Sequence, residues 1–141
     1  MNGFLLDTNI VSELIRSRPE PRLSRWIAST DENLLYLSVL AMGEIRKGIV
    51  QLGKTARQIE LQTWVDRDLR ARFLDRILPI DEAVADRWGW ITGQAMANGV
   101  RLSVFDGLLA ATALHYNLTF VTRNTRDVLA TGAVLFNPWQ S

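Results

Sequence analysis

Cysteine is absent from the sequence and histidine occurs once, at His115. The first absence excludes disulfide staples, and the two together leave a zinc-type site almost without ligands. Excess charge of either sign is missing too: the formal net charge is +1, so no global field draws in nucleic acid. Lysine is nearly missing, since all but Lys47 and Lys54 of the sixteen basic residues are arginine. The planar arginine fork suits phosphate and carboxylate, although compositional bias alone accounts for such a preference. No apolar run approaches the roughly 18–20 residues of a membrane span. The opening Met-Asn-Gly-Phe-Leu-Leu-Asp-Thr-Asn lacks the basic start and long apolar core of a secretory signal. A cytoplasmic protein without membrane contact is the expectation. There is no repeat, low-complexity stretch or linker, and 141 residues is close to the commonest domain size, so one domain spanning 1–141 is expected.

What is present alternates. Gly3-Phe4-Leu5-Leu6 predicts a buried strand, and Ile10, Val11, Leu14 and Ile15 follow at helical spacing up to a stop near Pro19. A short helix is predicted over 22–29 and a strand over 34–37. The next helix runs over 39–52, with Ser38 as N-cap, Ile45, Ile49 and Leu52 as its apolar stripe, and Gly53 as terminator. The Arg-rich stretch 55–74 reads as a long helical region, and 77–80 as an edge strand because Pro79 cannot donate to a ladder. Asp81 caps a helix bearing Val84, Trp88, Ile91 and Ala95 and ending at Asn98-Gly99. Ser103 opens a helix over 104–116 that is apolar almost all round and therefore buried. A strand over 118–122, a short helix over 125–129 and a strand over 133–136 complete the series. Strands alternating with helices define an α/β fold, a mainly parallel twisted sheet with helices on both faces. Right-handed crossovers bring the carboxyl ends of its strands to one edge, where ligand sites of open sheets sit.

Several acids fall at that edge. Asp7 directly follows the first strand, Glu44 lies in the second turn of the helix after Ser38, and Asp106 lies in the first turn of the buried helix. Asn124 and Asp127 follow the strand over 118–122. Taken singly, each has a bland explanation: Asp7 caps a helix, Ser103 and Asp106 resemble a capping box, Glu44 is a solvated helix residue. Asp106 is harder to dismiss, because Val104-Phe105-Asp106-Gly107-Leu108-Leu109 is too apolar for a surface helix, and a charge there is costly unless paired or metal-bound. Carboxylates sharing one cleft cannot all stay ionised without compensation. With one His and no Cys available, an all-oxygen Mg²⁺ or Mn²⁺ site is what remains.

At these residues the sequence resembles the PIN-domain ribonucleases, and within them the VapC and FitB type of toxin from bacterial toxin–antitoxin pairs. Five segments carry the resemblance in order: Phe4-Leu5-Leu6-Asp7-Thr8-Asn9; Ser38 to Glu44 with Arg46 and Gly48; Phe105 to Ala113; Thr122 to Asp127; and Phe136-Asn137-Pro138-Trp139. The resemblance implies a three-layer α/β/α sandwich and an endoribonuclease that needs Mg²⁺, with Mn²⁺ as substitute. Asp7 and Asp106 would be its main ligands, and Glu44 would bind through water or position the nucleophile. Many relatives carry Asp where this chain has Asn124, so Asn124 or Asp127 would fill the fourth position, with Thr8 and Thr122 as supporting hydroxyls. The implied substrate is RNA, often tRNA or another structured RNA cut at unpaired loops. Arg46, Lys47, Arg101, Arg123 and Arg126 are the phosphate-holding candidates, and Arg67, Arg70, Arg72 and Arg76 read as a surface face or dimer rim. The resemblance further implies a cognate antitoxin blocking the cleft, contact with DNA only through that antitoxin, and a homodimer. Trp26, Trp64, Trp90 and Trp139 are interface candidates, whereas Trp88 reads as core.

The competing expectation is a binding module whose catalytic set has decayed, with Asn124 as the visible sign. A phospho-acceptor receiver domain would want an acidic pair after the first strand and a late lysine; this chain has Asp7 alone and no Lys beyond Lys54.

Overall fold

The structure, a computed structural model, describes residues 2–140. Five short strands form one sheet: β1 (Phe4–Leu6), β2 (Leu35–Ser38), β3 (Ile77–Leu78), β4 (Thr119–Val121) and β5 (Leu135–Phe136). Their order is β3-β2-β1-β4-β5, with every neighbouring pair parallel. The chain thus builds outward from β1 on one side and then returns to build outward on the other. The reversal lies between β1 and β4, and the crevice beyond the carboxyl ends at such a switch point is where open α/β sheets bind ligands.

Side chains alternate across the strands, as extended backbone requires. Leu6, Leu35, Leu37 and Val121 face one layer, built from α1 (Thr8–Leu14), α2 (Pro21–Ser29), α3 (Val39–Val50) and α4 (Ala56–Thr63). Leu5 and Phe120 face the other, where α7 (Val104–His115) presents Leu109 and Ala113. Behind it, α6 (Glu82–Ala97) packs Val84 and Ile91 on Ala110 and Ala111. The sandwich has three layers.

Most helix starts form where the capping residues place them. Ser38 Oγ accepts from Leu40 N, Asp81 Oδ1 from Val84 N and Ser103 Oγ from Asp106 N, at 3.0, 3.0 and 3.1 Å. Helix α3 ends before Gly53, whose φ of 67° is the left-handed conformation glycine adopts without steric cost. Six expectations need correction, the first being β3, which ends at Leu78 and not at 80 because Pro79 has no N–H to carry the ladder on. Helix α1 stops at Leu14, short of Pro19, and the loop that follows is tied back by Glu20 N donating to the Glu13 carboxylate at 3.0 Å. The stripe of α3 is Met42, Ile45 and Ile49, while Leu52, beyond the helix end, is exposed. The region over 55–74 is not one regular helix: α4 passes into a π-helical stretch, Trp64–Leu69, and a last short turn, α5 (Arg70–Arg72). The extra residue per turn rotates Val65, Leu69 and Phe73 onto the core. The residues after Asn124 form a 3-10 helix, Thr125–Thr131, longer and tighter than the helix expected there. The last strand is shorter than the expected 133–136.

Phe120 is fully buried in the middle of β4, beside the central strand β1. Truncating it to alanine removes a large apolar contact and leaves a cavity, so Phe120→Ala is expected to cost about 3–5 kcal/mol. Urea denaturation of the two proteins measures this, and a loss below about 1 kcal/mol would contradict the assigned core.

Candidate active-site cleft

Asp7 is the first residue past β1 and the N-cap of α1. Its Oδ1 accepts from Thr8 N at 2.7 Å, so the capping role is real. Its Oδ2 accepts from the Thr122 hydroxyl at 2.7 Å, across the switch point from the residue that follows β4. The Asp7 backbone is fixed as well, its N–H donating to Val121 O at 2.9 Å. Thr122 Oγ1 in turn accepts from Asn124 N at 3.1 Å, and the Thr8 hydroxyl donates to Glu44 Oε1 at 2.7 Å. The two threonines therefore link the ends of β1 and β4 to α3 in one network. Each of the two hydroxyls thus donates to a carboxylate at this edge, Thr8 to Glu44 and Thr122 to Asp7.

A cleft of about 510 Å³ opens over this network. Asp7, Thr8, Glu44, Asp106 and Asn124 all line it. Asp106 enters from the first turn of α7, where the dipole favours a negative charge. Helix α7 packs closely against α6 at Gly107: a Cβ there would stand 3.0 Å from the Trp88 ring.

Asp7 is only 8% exposed. Burial raises its pKa above the ordinary 3.8; the hydrogen bonds from Thr122 and Thr8 pull it back, and the charges of Asp106 and Glu44 push it up again. Among the described residues, no three acidic or histidine side chains gather into a ready-made ion cage. The carboxylates instead surround the cleft, Asp7 and Glu44 each holding a threonine hydroxyl. The donors facing it are hard oxygens, and Asn9 Oδ1 is a buried acceptor with no hydrogen-bond partner. Such a set fits an ion that prefers oxygen, keeps several waters and takes one or two carboxylates.

Other candidates are placed elsewhere. Asp127 is exposed and does not line the cleft; it sits one 3-10 turn beyond Asn124, about 6 Å further along that axis. Arg46 is held by Gln62 and Asp66 on the neighbouring helix. Arg123 stacks on the Trp139 ring, 5.2 Å from its centroid. Lys47, Arg101 and Arg126 are exposed and do not line the cleft. Arg67, Arg70, Arg72 and Arg76 form surface ion pairs with Asp68, Asp66 and Glu32. Of the four tryptophans expected at an interface, Trp90 is 66% exposed, whereas Trp26, Trp64 and Trp139 pack on or in the core. Trp88 packs against the core as expected.

The sequence reading overlooked Asn9, Ser12, Glu13, Arg16 and Phe105, which also line the cleft. The first four recur at helical spacing directly after Asp7, the polar complement of Ile10, Val11, Leu14 and Ile15. That periodicity was visible, whereas Phe105 carried no local signal.

Comparison with known proteins gives this arrangement a family. The PIN domain family model matches residues 4–131. The chain is 36% identical to Toxin FitB of Neisseria gonorrhoeae over 96% of its own length and 98% of that protein. It is 29% identical to VapC ribonuclease Y4jK of Sinorhizobium fredii, over 97% and 98% of the two chains. The solved structure of FitAB bound to an IR36 DNA fragment superposes with a TM-score of 0.91 at 34% identity, covering 96% of this chain and 95% of that one. This chain belongs to the PIN domain family.

The raised pKa of Asp7 has a consequence for stability. A carboxyl whose folded pKa exceeds its unfolded value contributes stability that is complete below the unfolded value and is lost as pH rises through the folded one. Without divalent cations, Asp7→Asn is therefore expected to melt above the wild type at pH 8, with the gap closing as pH falls toward 4. Calorimetry in chelator tests this, and melting curves that stay parallel across pH would contradict it.

Proposed function

We propose that this chain is a Mg²⁺-dependent endoribonuclease, the toxin of a toxin–antitoxin pair, hydrolysing phosphodiester bonds in RNA and held inactive by a cognate antitoxin. The carrying observation is that Asp7, Glu44 and Asp106, from three separate elements, line one cleft at the switch point of the sheet. Supporting it are the family, the toxin and ribonuclease names of the relatives, and the FitAB structure bound to a DNA fragment, which is in keeping with an antitoxin as the route to DNA here.

Asp7 and Asp106 are the residues that would hold Mg²⁺, with Mn²⁺ as substitute, and Asn124 would lend an uncharged oxygen. Such an ion lowers the pKa of a water and offsets charge developing on phosphate oxygens. The chain's own contribution is positional. Asp7 is fixed by two hydrogen bonds, so it cannot swing from the cleft. Glu44 Oε1 is occupied by the Thr8 hydroxyl, which leaves Oε2 to accept a proton from the attacking water. Thr122 holds Asp7 and orders the backbone of Asn124 at the same time.

One observation favours a second reading, a binding module with weakened chemistry: the β4 side of the cleft presents Asn124 and not a carboxylate. Two measurements separate them. Asp106→Asn should lower Mg²⁺-dependent cleavage of RNA by about a hundred-fold or more, since a lost ion interaction is worth several kcal/mol and 1.4 kcal/mol is tenfold. Mg²⁺ at a hundred times its dissociation constant should stabilise the wild-type fold by about 2.7 kcal/mol. Undiminished cleavage by the variant sinks the nuclease, and a melting temperature unmoved by millimolar Mg²⁺ favours the module.

A further inference from the structure

Phe105 is 43% exposed and lines the cleft beside Asp106. Leaving a phenyl face in water is unfavourable relative to covering it, and among the described residues this ring stacks on no other aromatic ring or guanidinium. Its place is set by the backbone: Ser103 caps α7 through Asp106 N, so residues 104 and 105 belong to the exposed first turn. Among the described residues one cation lines the cleft, Arg16, just past α1 and 67% exposed in its side chain. The Arg16 guanidinium donates to Glu13 Oε2 at 3.1 Å, which holds it at the cleft while leaving further N–H groups for an anion.

We propose that Phe105 is the stacking platform for an unpaired RNA base next to the scissile bond, with Arg16 gripping a phosphate of the same strand. This rests on the ribonuclease reading above and adds to it the residues that position the substrate. The ligand is chosen by the chemistry of the walls. A base has a flat apolar face and a polar edge. The cleft offers a flat ring at Phe105 together with the exposed polar side chains of Ser12 and Asn124. An apolar protein segment would match Phe105 but would leave those polar groups and four carboxylates facing it. A base within a duplex is already stacked on both faces and has no free face to give, so the platform selects unpaired nucleotides.

The test uses the full chain carrying Asp106→Asn, in Mg²⁺, with a single-stranded oligoribonucleotide in which 2-aminopurine is moved position by position. Its fluorescence is quenched on stacking, which a merely structural role of Phe105 would not reproduce. One position is expected to be quenched. Adding Phe105→Ala should abolish that quench and weaken binding by about 5- to 100-fold, the range of a single base–aromatic stack. Phe105→Tyr should restore both, and Phe105→Leu, apolar but without a π-face, should restore neither. Arg16→Gln should weaken binding and flatten its salt dependence without removing the quench. The same sequence as a duplex should bind equally well with Phe or Ala at 105.

Three results would overturn the proposal: alanine binding RNA as phenylalanine does, leucine serving as well as phenylalanine, or no RNA binding at all. A Phe105→Ala variant that binds RNA normally but loses a protein partner would overturn it too, by assigning the ring to that partner. Cleavage by the chain with Asp106 intact is followed in parallel. If that protein never cuts RNA but its binding needs Phe105, the nuclease reading falls and the platform stands. If Phe105→Ala cuts with unchanged kcat and KM, the nuclease stands and the platform falls.

Discussion

The structure turns on one buried carboxylate. Asp7 sits where β1 ends, between a helix N-terminus and the residue that follows β4, and both of its oxygens are committed. A lone charge in such a place would be driven to neutralise. Here the hydrogen bonds of Thr8 and Thr122 partly offset burial, while Asp106 and Glu44 oppose ionisation. The outcome is a site held together yet electrostatically incomplete, which is what an ion-binding cleft requires before its ion arrives. The sheet topology follows the same constraint. At the reversal between β1 and β4 the chain connections leave in opposite directions and open a crevice above the paired strand ends, where Asp7 and Thr122 are joined.

What the sequence revealed follows from the range of the interactions involved. Caps and turns are decided within four residues, so Ser38, Asp81, Ser103 and Gly53 could be read directly. Strand periodicity and the alternation of elements fixed the layers. Asp7, Glu44 and Asp106 were found because each is tied to a local landmark, a strand end or a helix start, and the topology collects those landmarks at one edge. Asn124 reached the cleft for the same reason. Asp127 did not, because distance along a 3-10 helix, unlike position at a strand end, could not be judged without knowing that the turn was tight.

The arginines show where such reading fails. Arg46 lies two residues from Glu44 and looks well placed for phosphate, yet Asp66 and Gln62 hold it. Those partners are brought within reach by how α4 and the π-helical stretch pack against α3, and nothing in the sequence marks a π-helical turn at Trp64. Arg76 is likewise consumed by the fold, donating to Leu35 O at 2.6 Å and facing Glu32. The tryptophans repeat the lesson: Trp26 is claimed by Phe4 and Phe136, with centroids 5.1 and 5.2 Å away. Composition counts side chains, but long-range packing decides which remain free.

That distribution of charge bears on how an anionic polymer could enter. The chain as a whole is nearly neutral, but its cleft is not: Asp7, Glu13, Glu44 and Asp106 line it against Arg16 alone. With all five ionised the cleft carries three excess negative charges, so phosphate approaching it bare is repelled. Much of the arginine that could have countered this is spent on ion pairs at the outer surface. A divalent cation would therefore act twice in such a cleft, first by reversing the local repulsion that opposes RNA binding and then in the chemistry itself. If the proposed function holds, one cation would serve both RNA binding and turnover, at a cleft where the buried Asp7 already feels the charges of Asp106 and Glu44 on top of its burial.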